Sequence, residues 1–402
     1  MKTKEIPYDQ FTPITAFYAL GGQCILESSP GKDRYSFVGV DPIESIQGQG
    51  DYAHALRAMQ TKYRTQGSVL FMGGPVGYVG YDNRYFFQVF RTGLLFDHNT
   101  GKALLATLGD EAELQKQYTK LMQPQMLPKV EFEVGPIEVD RSDDAFKAMI
   151  AKAKEHLQAG DIFQIVLSRT FKMTFQGDPL QFYRALRRSS PAPFLFYFNF
   201  GSHALAGASP EKVISVHNGI IESTPIAGTC PKDGSIEALL ADLKENAEHV
   251  MLVDLARNDV GKVAKPGTVK VVEYKVAHEF SHVKHIVSKV VGELAPQFDA
   301  LDAFTASFPA GTLTGAPKTR AMELIREIEQ DDRGIYGGAI VALDGQGNLA
   351  SCIAIRTALF QDGEMRVRAG AGIVIDSEPQ KEADETYHKA STILEVAHAF
   401  NH

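Results

Sequence analysis

Two pairs of glutamates in this sequence are spaced to place carboxylates on one face of a helix. Glu245 and Glu248 are three residues apart in one predicted helix, and Glu382 and Glu385 repeat that spacing in the last one, around Asp384. Residues three apart project from the same side of an α-helix. Two such faces brought together would offer oxygen ligands to Mg²⁺, which prefers carboxylates, waters and anionic substrates. Spacing alone fits two solvated helix faces as well.

Two further features suit an anionic ligand. Arg356 lies in the apolar stretch 352–357, and a half-buried guanidinium in a strand requires an acceptor such as a carboxylate. An internal salt bridge would satisfy that requirement equally well. Residues 369–372, Ala-Gly-Ala-Gly, lack side-chain bulk, so a ligand or a neighbouring strand could lie close to their backbone.

A glycine-rich run at residues 309–318, PAGTLTGAPK, leads into a predicted helix. The N-terminus of a helix offers free N–H donors and a positive dipole to an anion. The run lacks the ending of a Walker A loop, so it predicts either an anion-binding helix entry or an ordinary turn. The sequence contains no GxSxG or GxGxxG motif, which argues against hydrolases of the nucleophile-elbow type and dinucleotide-binding enzymes.

Apolar patterns and turn residues predict the elements that must position these groups. We predict strands at residues 24–26, 35–40, 68–72, 162–167, 194–200, 213–216, 219–224, 269–272, 283–290, 336–343, 352–359 and 365–375. We predict helices at 110–122, from Asp143 or Asp144 to Gly160, and at 239–256, 317–330 and 379–400, the last capped by Ser377. Because short turns join successive strands, the pattern favours an antiparallel α+β architecture over a doubly wound parallel sheet.

Composition restricts the class of protein. The 402 residues are 44% hydrophobic and 22% charged, as in ordinary globular proteins, and the net charge is −8. No Lys/Arg run exceeds a pair, so no nucleic-acid partner is indicated. The N-terminus lacks a signal segment and no apolar stretch approaches 18 residues, so we expect no membrane contact and a cytoplasmic location. Cys24, Cys230 and Cys352 are far apart, which predicts neither a zinc site nor a disulfide.

Several longer motifs resemble those of a known family. They are GDIFQ at 160–164, ASPE at 208–211, PIAGT at 225–229, AEH at 247–249, SHVKH at 281–285, PAGTLTGAPK, CIAIRT at 352–357, AGAG and EADET at 382–386. In this order they resemble the chorismate-utilising enzymes, closely over residues 140–398 and more loosely over 10–100. The resemblance implies two large packed antiparallel sheets with helices outside. It also implies one folded unit, in which residues 1–135 supply a regulatory element and 140–402 the catalytic region.

The resemblance also assigns roles to the residues singled out above. It implies Mg²⁺ held by Glu248 and Glu385, with Glu245 and Glu382 in direct or water-mediated support, against the ring carboxylate of chorismate. That assignment agrees with the oxygen ligands that Mg²⁺ prefers.

For the substrate, the resemblance implies that Arg356 and the backbone at Gly370 and Gly372 hold a carboxylate. Tyr336 would contact the substrate near its pyruvyl arm, and Thr312 would contact it from the glycine-rich run.

Two residues are expected to move protons. Glu211 would protonate the departing C4 hydroxyl, and His285 would take part in losing the C2 proton as pyruvate leaves. A positioned acid or base contributes about 10²–10⁴ in rate. The alternative for His285 is a structural histidine in its strand, which is how we interpret His282.

Two positions separate the branches of the family. Members that add water at C2 carry a lysine where Gln164 stands, because water needs a general base. Many members that form 4-amino-4-deoxychorismate carry a lysine in the Pro-Ile-x-Gly-Thr motif, where this chain has Ala227 before Thr229. Both positions favour direct attack by ammonia and formation of anthranilate. The alternatives are 4-amino-4-deoxychorismate formation and an inactive subunit that only binds tryptophan or chorismate.

The sequence shows no glutaminase arrangement of Cys, His and Glu, so we expect ammonia to come from a separate glutamine amidotransferase subunit. Residues 25–28 match the family's tryptophan feedback element, with Glu27 and Ser28 as polar contacts. The second part of that element is normally Pro-Tyr-Met, and here it is Pro193, Phe194 and Leu195. L-Tryptophan is therefore a candidate inhibitor, although this departure argues against inhibition.

Overall fold

The structure is a computed structural model of the chain. It describes residues 1–28, 34–64, 69–124, 127–128, 131–231, 234–279 and 283–401. For residues 227–231, 239, 243–245, 278, 279 and 283 only the backbone is described.

Strands make up much of the described chain. They are β1 Lys2–Ile6, β2 Gly22–Ser28, β3 Tyr35–Gln49, β4 Val76–Val79, β5 Arg84–Asp97, β6 Lys102–Thr107, β7 Phe132–Val134, β8 Glu138–Val139, β9 Gln164–Gly177, β10 Phe194–Asn199, β11 Ala204–Ser209, β12 Lys212–His217, β13 Ile220–Ser223, β14 Ile226–Pro231, β15 Lys270–Glu279, β16 Val283–Glu293, β17 Gly315–Ala316, β18 Ala339–Leu343, β19 Leu349–Ile353, β20 Thr357–Gln361 and β21 Glu364–Ile373.

Helices lie between these strands. They are α1 Pro13–Leu20, α2 Tyr52–Tyr63, α3 Glu111–Leu121, α4 Asp143–Ala159, α5 Pro179–Ser189, α6 Ile236–Ala241, α7 Leu243–Gly261, α8 Ala300–Ser307, α9 Lys318–Glu329 and α10 Pro379–His398, with 3₁₀ turns at Tyr8–Gln10, Gly311–Leu313 and Ala399–Asn401.

The strands form two antiparallel runs that share β3 and β5. One run follows the order β6–β5–β3–β2–β10–β11–β20–β21–β9, and the other follows β3–β5–β4–β18–β19–β12–β13–β16–β15. Along β5, residues 85–88 pair with β4 and residues 92–97 pair with β6. The antiparallel α+β class is therefore confirmed, and hydrogen bonds join the expected two sheets into one network.

Strand β3 is irregular at the point where it passes from one run of strands to the other. The register between β3 and β5 shifts between Pro42 and Glu44, and Asp41 has a positive φ of 54°. A β-bulge bends a strand and increases its twist. Strands from both parts of the chain also alternate in the network, because β2 pairs with β10 and β4 pairs with β18.

Three predicted strands and helices differ from the observed ones. Residues 69–72 form a turn rather than a strand: Val69 and Met72 bury their side chains, but Phe71 has a φ of 65°. The predicted helix at 239–256 is two helices, α6 and α7, separated at Asp242. The predicted strand at 352–359 is broken between β19 and β20.

Two predicted caps were also misplaced. Ser142, rather than Asp143 or Asp144, caps α4, because its Oγ accepts a hydrogen bond from the N–H of Ala145. Ser377 Oγ accepts from the N–H of Val374, so Ser377 closes the turn before α10 and Glu378 occupies the cap position.

Cys24 and Cys352 are free and buried, and the side chain of Cys230 lies outside the described residues. Within the described ranges, no helix has both the length and the apolarity to cross a lipid bilayer.

Candidate active site

The side chains of Glu211 and Thr312 are in contact near two breaks in the sheet, one between β11 and β12 and the other between β19 and β20. Glu211 stands between β11 and β12, and its carbonyl accepts from the N–H of Ile353 at the end of β19. Thr312 Oγ1 donates to Glu211 Oε1 at 2.8 Å. Burial raises the pKa of Glu211 to about 7, although Thr312, Lys389 and Arg356 act to lower it. A carboxyl group with this pKa is an effective proton donor near neutral pH.

Arg356 occupies the gap between β19 and β20. It has a φ of 48°, and its carbonyl accepts from the N–H of Ala208 at 3.0 Å. The prediction of a half-buried arginine inside a strand was wrong, because the strand is broken here and the side chain is exposed in the cleft. Surrounding protein lowers the pKa of Arg356, while Glu211 raises it. No other described residue forms a hydrogen bond or ion pair with its guanidinium, which leaves its planar fork of donors for a ligand.

Tyr336 lies against the glycines of β21. A Cβ atom on Gly370 would stand 2.6 Å from Tyr336 Oη and 2.5 Å from the carbonyl oxygen of Leu167. A Cβ atom on Gly372 would stand 2.9 Å from Gln164 Nε2. Glycine is therefore required at position 370, where a backbone oxygen lies against the strand, whereas at Gly372 the flexible end of the Gln164 side chain could move aside. Burial raises the pKa of Tyr336.

Lys389 connects several of these groups and was missed from the sequence. Its Nζ lies 3.2 Å from the carbonyl oxygen of Gly370 and 2.5 Å from Glu385 Oε1. Its charge also lowers the pKa of Glu211. The available signal was its position four residues after Glu385 on α10, a spacing that places two side chains together.

The four glutamates assigned to Mg²⁺ lie on α7 and α10. Glu248 is partly buried, Glu382 is buried and Glu385 is exposed, while the side chain of Glu245 lies outside the described residues. Among the side chains that are described, no three of His, Cys, Asp and Glu form a metal-binding group. The donor chemistry fits Mg²⁺, because this ion often takes one or two carboxylates and completes its shell with water and substrate oxygens.

His285 lies on β16, which pairs with β14. The register places His285 opposite Thr229 and Ile286 opposite Ala227. The backbone therefore brings the predicted proton-transfer residue to the Pro-Ile-x-Gly-Thr motif, while the side chains of Ala227 and Thr229 are outside the description.

Comparison with known proteins identifies the family. A family model described as chorismate binding enzyme matches residues 22–395, which is most of the chain. The chain belongs to the chorismate binding enzyme family.

Several proteins similar to this chain in sequence or in fold are named for one particular activity within the family. Anthranilate synthase component 1 of Saccharolobus solfataricus is 36% identical over 420 residues, covering 96% of each chain. The solved structure of anthranilate synthase component I from Streptococcus pneumoniae covers 98% of this chain and 100% of its own, with a TM-score of 0.82 and 33% identity. A menaquinone-specific isochorismate synthase from Escherichia coli has a TM-score of 0.82 at 20% identity, covering 98% of this chain and 94% of its own, and shares the fold.

In this chorismate binding enzyme, His249 holds α7, the helix that carries Glu248, against strand β16. It is fully buried on α7, and its Nε2 lies 2.6 Å from Ser288 Oγ on β16. Burial lowers the pKa of His249 to about 4, so the ring is neutral. The contact anchors the helix of Glu248 to the strand that carries His285.

The expected feedback element is assembled between β2 and β10. Ser28 lies opposite Phe194 and Glu27 opposite Leu195, with Pro193 just before β10.

Glu27 is buried and accepts four hydrogen bonds. Arg187 donates two at 2.6 and 2.8 Å, Tyr183 donates one at 2.7 Å and Ser36 one at 3.1 Å. A carboxylate offers about four lone-pair positions, so Glu27 has no acceptor position left for a ligand in this arrangement.

Proposed function

We propose that this chain is the chorismate-converting component of anthranilate synthase, which adds ammonia to chorismate and releases pyruvate. The observation that carries the proposal is the hydrogen bond from Thr312 to Glu211, whose pKa burial raises to about 7, beside Arg356, whose guanidinium bonds to no residue that the structure describes. That combination suits removal of a hydroxyl group from an anionic substrate. The relatives named anthranilate synthase component 1 align over nearly the whole chain, which supports this branch of the family.

Substrate binding uses the charges of the cleft. Arg356, through paired N–H donors, and the backbone at Gly370 and Gly372 hold one carboxylate of chorismate. Glu248 and Glu385, with Glu245 and Glu382 in support, would hold Mg²⁺, which would neutralise the ring carboxylate. In the structure Glu385 is paired with Lys389, whose Nζ also lies 3.2 Å from the carbonyl oxygen of Gly370.

The reaction then needs several proton transfers. Ammonia adds at C2 and then loses one proton, while Glu211 donates its proton to the C4 hydroxyl, which leaves as water. His285 takes the C2 proton and the C3–O bond breaks, so that the ring becomes aromatic. The departing enolpyruvyl group takes up one proton at its methylene carbon and is released as pyruvate. Ammonia needs no lysine base at the position of Gln164, and Ala227 cannot form a covalent adduct with the ring.

A separate glutamine amidotransferase subunit supplies the ammonia in this proposal. The name of the relatives, component 1, supports the existence of a second component. Formation of 4-amino-4-deoxychorismate is the alternative activity.

The proposal is tested by incubating the purified chain with chorismate, Mg²⁺ and ammonium and following anthranilate fluorescence. We expect a rise that EDTA abolishes. Consumption of chorismate without fluorescence would show the 4-amino-4-deoxychorismate activity instead, and no consumption with ammonium or with an added amidotransferase would overturn the proposal. Glu385→Gln should abolish turnover, whereas Glu395→Gln, at an exposed position on the same helix, should retain it.

We propose that L-tryptophan inhibits this chain weakly at most. A ligand ammonium that bound Glu27 would have to displace Arg187, Tyr183 or Ser36. The measurement is the rate of anthranilate formation across a tryptophan titration. Half-inhibition at low micromolar tryptophan would contradict this expectation.

A further inference from the structure

A pocket of about 510 Å³ lies over strands β9, β21 and β20, and we call it the outer pocket. Sites for small molecules typically measure about 300–1,000 Å³. Neither Glu211 nor Arg356 lines the outer pocket, whereas Tyr336 and Ile355 do. A ligand in the outer pocket would therefore contact the residue before Arg356 without entering the cleft of the candidate active site.

The register of the strands sets the floor of the outer pocket. Lys172 on β9 lies directly opposite Arg366 on β21, which in turn lies opposite Leu359 on β20. All three residues line the pocket, as does Thr170, which lies two residues before Lys172 and on the same side of β9. Residues directly opposite each other have Cβ atoms about 5 Å apart, and like charges in that position repel. The floor therefore holds two neighbouring cations that an anion would stabilise.

The carboxylates of the outer pocket do not fill this role, because each already has a cationic partner. Asp140 pairs with Arg141 at 2.6 Å, Asp331 with Arg368 at 2.8 Å and Asp332 with Arg84 at 3.0 Å. Arg333, which also lines the pocket, pairs with the buried Glu329. Lys172 is left as a cation of the lining without a carboxylate partner among the described residues.

Lys172 and Arg366 both have donors available. No described residue forms a hydrogen bond or ion pair with the ammonium group of Lys172, and this includes Glu138, which lies opposite it on β8. Arg366 donates from Nε to Glu364 on its own strand, and no described residue bonds to its two Nη groups. Both side chains are partly exposed. A carboxylate can accept from an ammonium and a guanidinium group together, so one such group fits this end of the pocket.

The opposite wall of the outer pocket is largely apolar. Ile335, Ile355 and Leu359 are partly exposed there. Small-molecule sites commonly combine apolar walls with a few placed polar groups. The apolar wall favours an organic acid over a bare inorganic anion, because the apolar surfaces of ligand and protein are removed from water together.

We propose that the outer pocket binds a small organic carboxylate. Its carboxylate group accepts hydrogen bonds from Lys172 and Arg366, and its apolar body lies on the isoleucine and leucine side chains of the wall. This site is separate from the proposed chorismate site and does not depend on the proposed function.

The test measures binding of para-fluorobenzoate, an apolar ring with one carboxylate, to the full chain by fluorine NMR. Lys172→Met keeps the apolar stem and removes the charge, so the affinity of one site should fall about 10-fold or more. Lys152→Met, at an exposed position on α4, is the control and should bind like the wild type. Probe bound in the cleft beside Arg356 persists in both variants, so their difference isolates the outer pocket. Equal binding by the two variants would overturn the proposal.

Further measurements test the ligand class and the second cation. Arg366→Gln should weaken the same site, and it supplies the same comparison if Lys172→Met does not fold. The uncharged analogue para-fluorobenzamide should not bind there. Displacement of the probe by inorganic phosphate at a lower concentration than by unlabelled benzoate would overturn an organic carboxylate as the ligand. In Lys172→Met, the kcat and KM of anthranilate formation should stay within about twofold of wild type, because Lys172 lies outside the cleft.

Discussion

Glu211 and Glu329 are two enclosed glutamates with opposite properties. Glu329, at the end of α9, accepts from Arg333 at 2.7 and 2.8 Å, from Arg368 at 3.0 Å and from the N–H and Oγ of Ser168 at 2.8 Å. Burial would raise the pKa of Glu329, but Arg333 and Arg368 lower it, so it stays ionised. Glu211 has one side-chain donor, Thr312, and burial raises its pKa to about 7.

The comparison shows that the number of donors around a carboxylate, rather than its burial, decides its role. At Glu329 every acceptor position is filled, and the group holds α9 to β9 and β21. At Glu211 the described residues leave acceptor positions open, and its raised pKa of about 7 favours a proton on the group below neutral pH. The arginines follow the same division, because Arg333 and Arg368 bond to several groups while no described residue bonds to the Arg356 guanidinium.

The largest expected effect concerns activity at Glu211. Glu211→Gln keeps the hydrogen bond from Thr312 but has no proton to donate, so kcat should fall about 10²–10⁴-fold. At fixed free ammonia, wild-type kcat/KM should also fall as pH rises through about 7, where Glu211 loses its proton. Steady-state assays across pH check both points. A variant of normal activity, or one with the wild-type pH profile, would remove Glu211 as the acid.

The same substitution at Glu329 should lower the stability of the fold rather than the activity. Glu329→Gln leaves the buried guanidinium of Arg333 without its carboxylate partner and leaves Arg368 with Asp331 alone, which should cost about 3–5 kcal/mol of unfolding free energy. Urea unfolding followed by circular dichroism measures this loss. Glu327→Gln, at an exposed position on the same helix, should change stability by no more than about 0.5 kcal/mol. Similar values for the two variants would contradict the structural role of Glu329.

Replacing Arg356 or Arg368 by lysine tests the same difference between a site residue and a residue that stabilises the fold. Arg356→Lys loses the paired donors for a carboxylate, a loss of about 1.5–3 kcal/mol that should raise the KM for chorismate roughly 10- to 150-fold. The fold should be unaffected, since no described residue depends on this guanidinium. Arg368→Lys should instead lower the melting temperature and leave the KM of the folded fraction unchanged. The reverse assignment of these two effects would refute the comparison.

The smallest expected effect is a pH-dependent gain in stability. The pKa of Glu211 in the folded chain, about 7, lies above its ordinary value of 4.5, so this group favours folding below pH 4.5. That contribution is lost as pH rises through 7, where the buried group must ionise. Glu211→Gln should therefore melt at a higher temperature than wild type at pH 8.5 but not at pH 5. Calorimetry at the two pH values checks the sign, and a difference independent of pH would contradict it.

Sequence patterns predicted elements whose signals are local. The apolar stripe from Phe146 to Leu157 and the stop at Gly160 reproduced α4, and the turns between successive strands predicted the antiparallel class. The break at Arg356 was not predictable, because apolar residues continue through it. The carbonyl of Arg356 bonds to Ala208, which is far away along the chain.

The site depended still more on distant contacts. Thr312 and Glu211 are 101 residues apart, so no periodicity joins them, and only the family motifs placed both in one site. Lys389 was missed because a lysine four residues after a glutamate is usually an ordinary surface pair. The backbone at Gly370 gives it a second partner, which the sequence does not show.

The position of β3 and β5 in both runs of strands determines how the molecule can unfold. Because both belong to two runs of strands, neither run can separate from the other without breaking their shared hydrogen bonds. Their central amide protons should exchange with deuterium only when the whole chain unfolds, together with those of both runs. The two runs of strands should therefore move as one body and not open relative to each other.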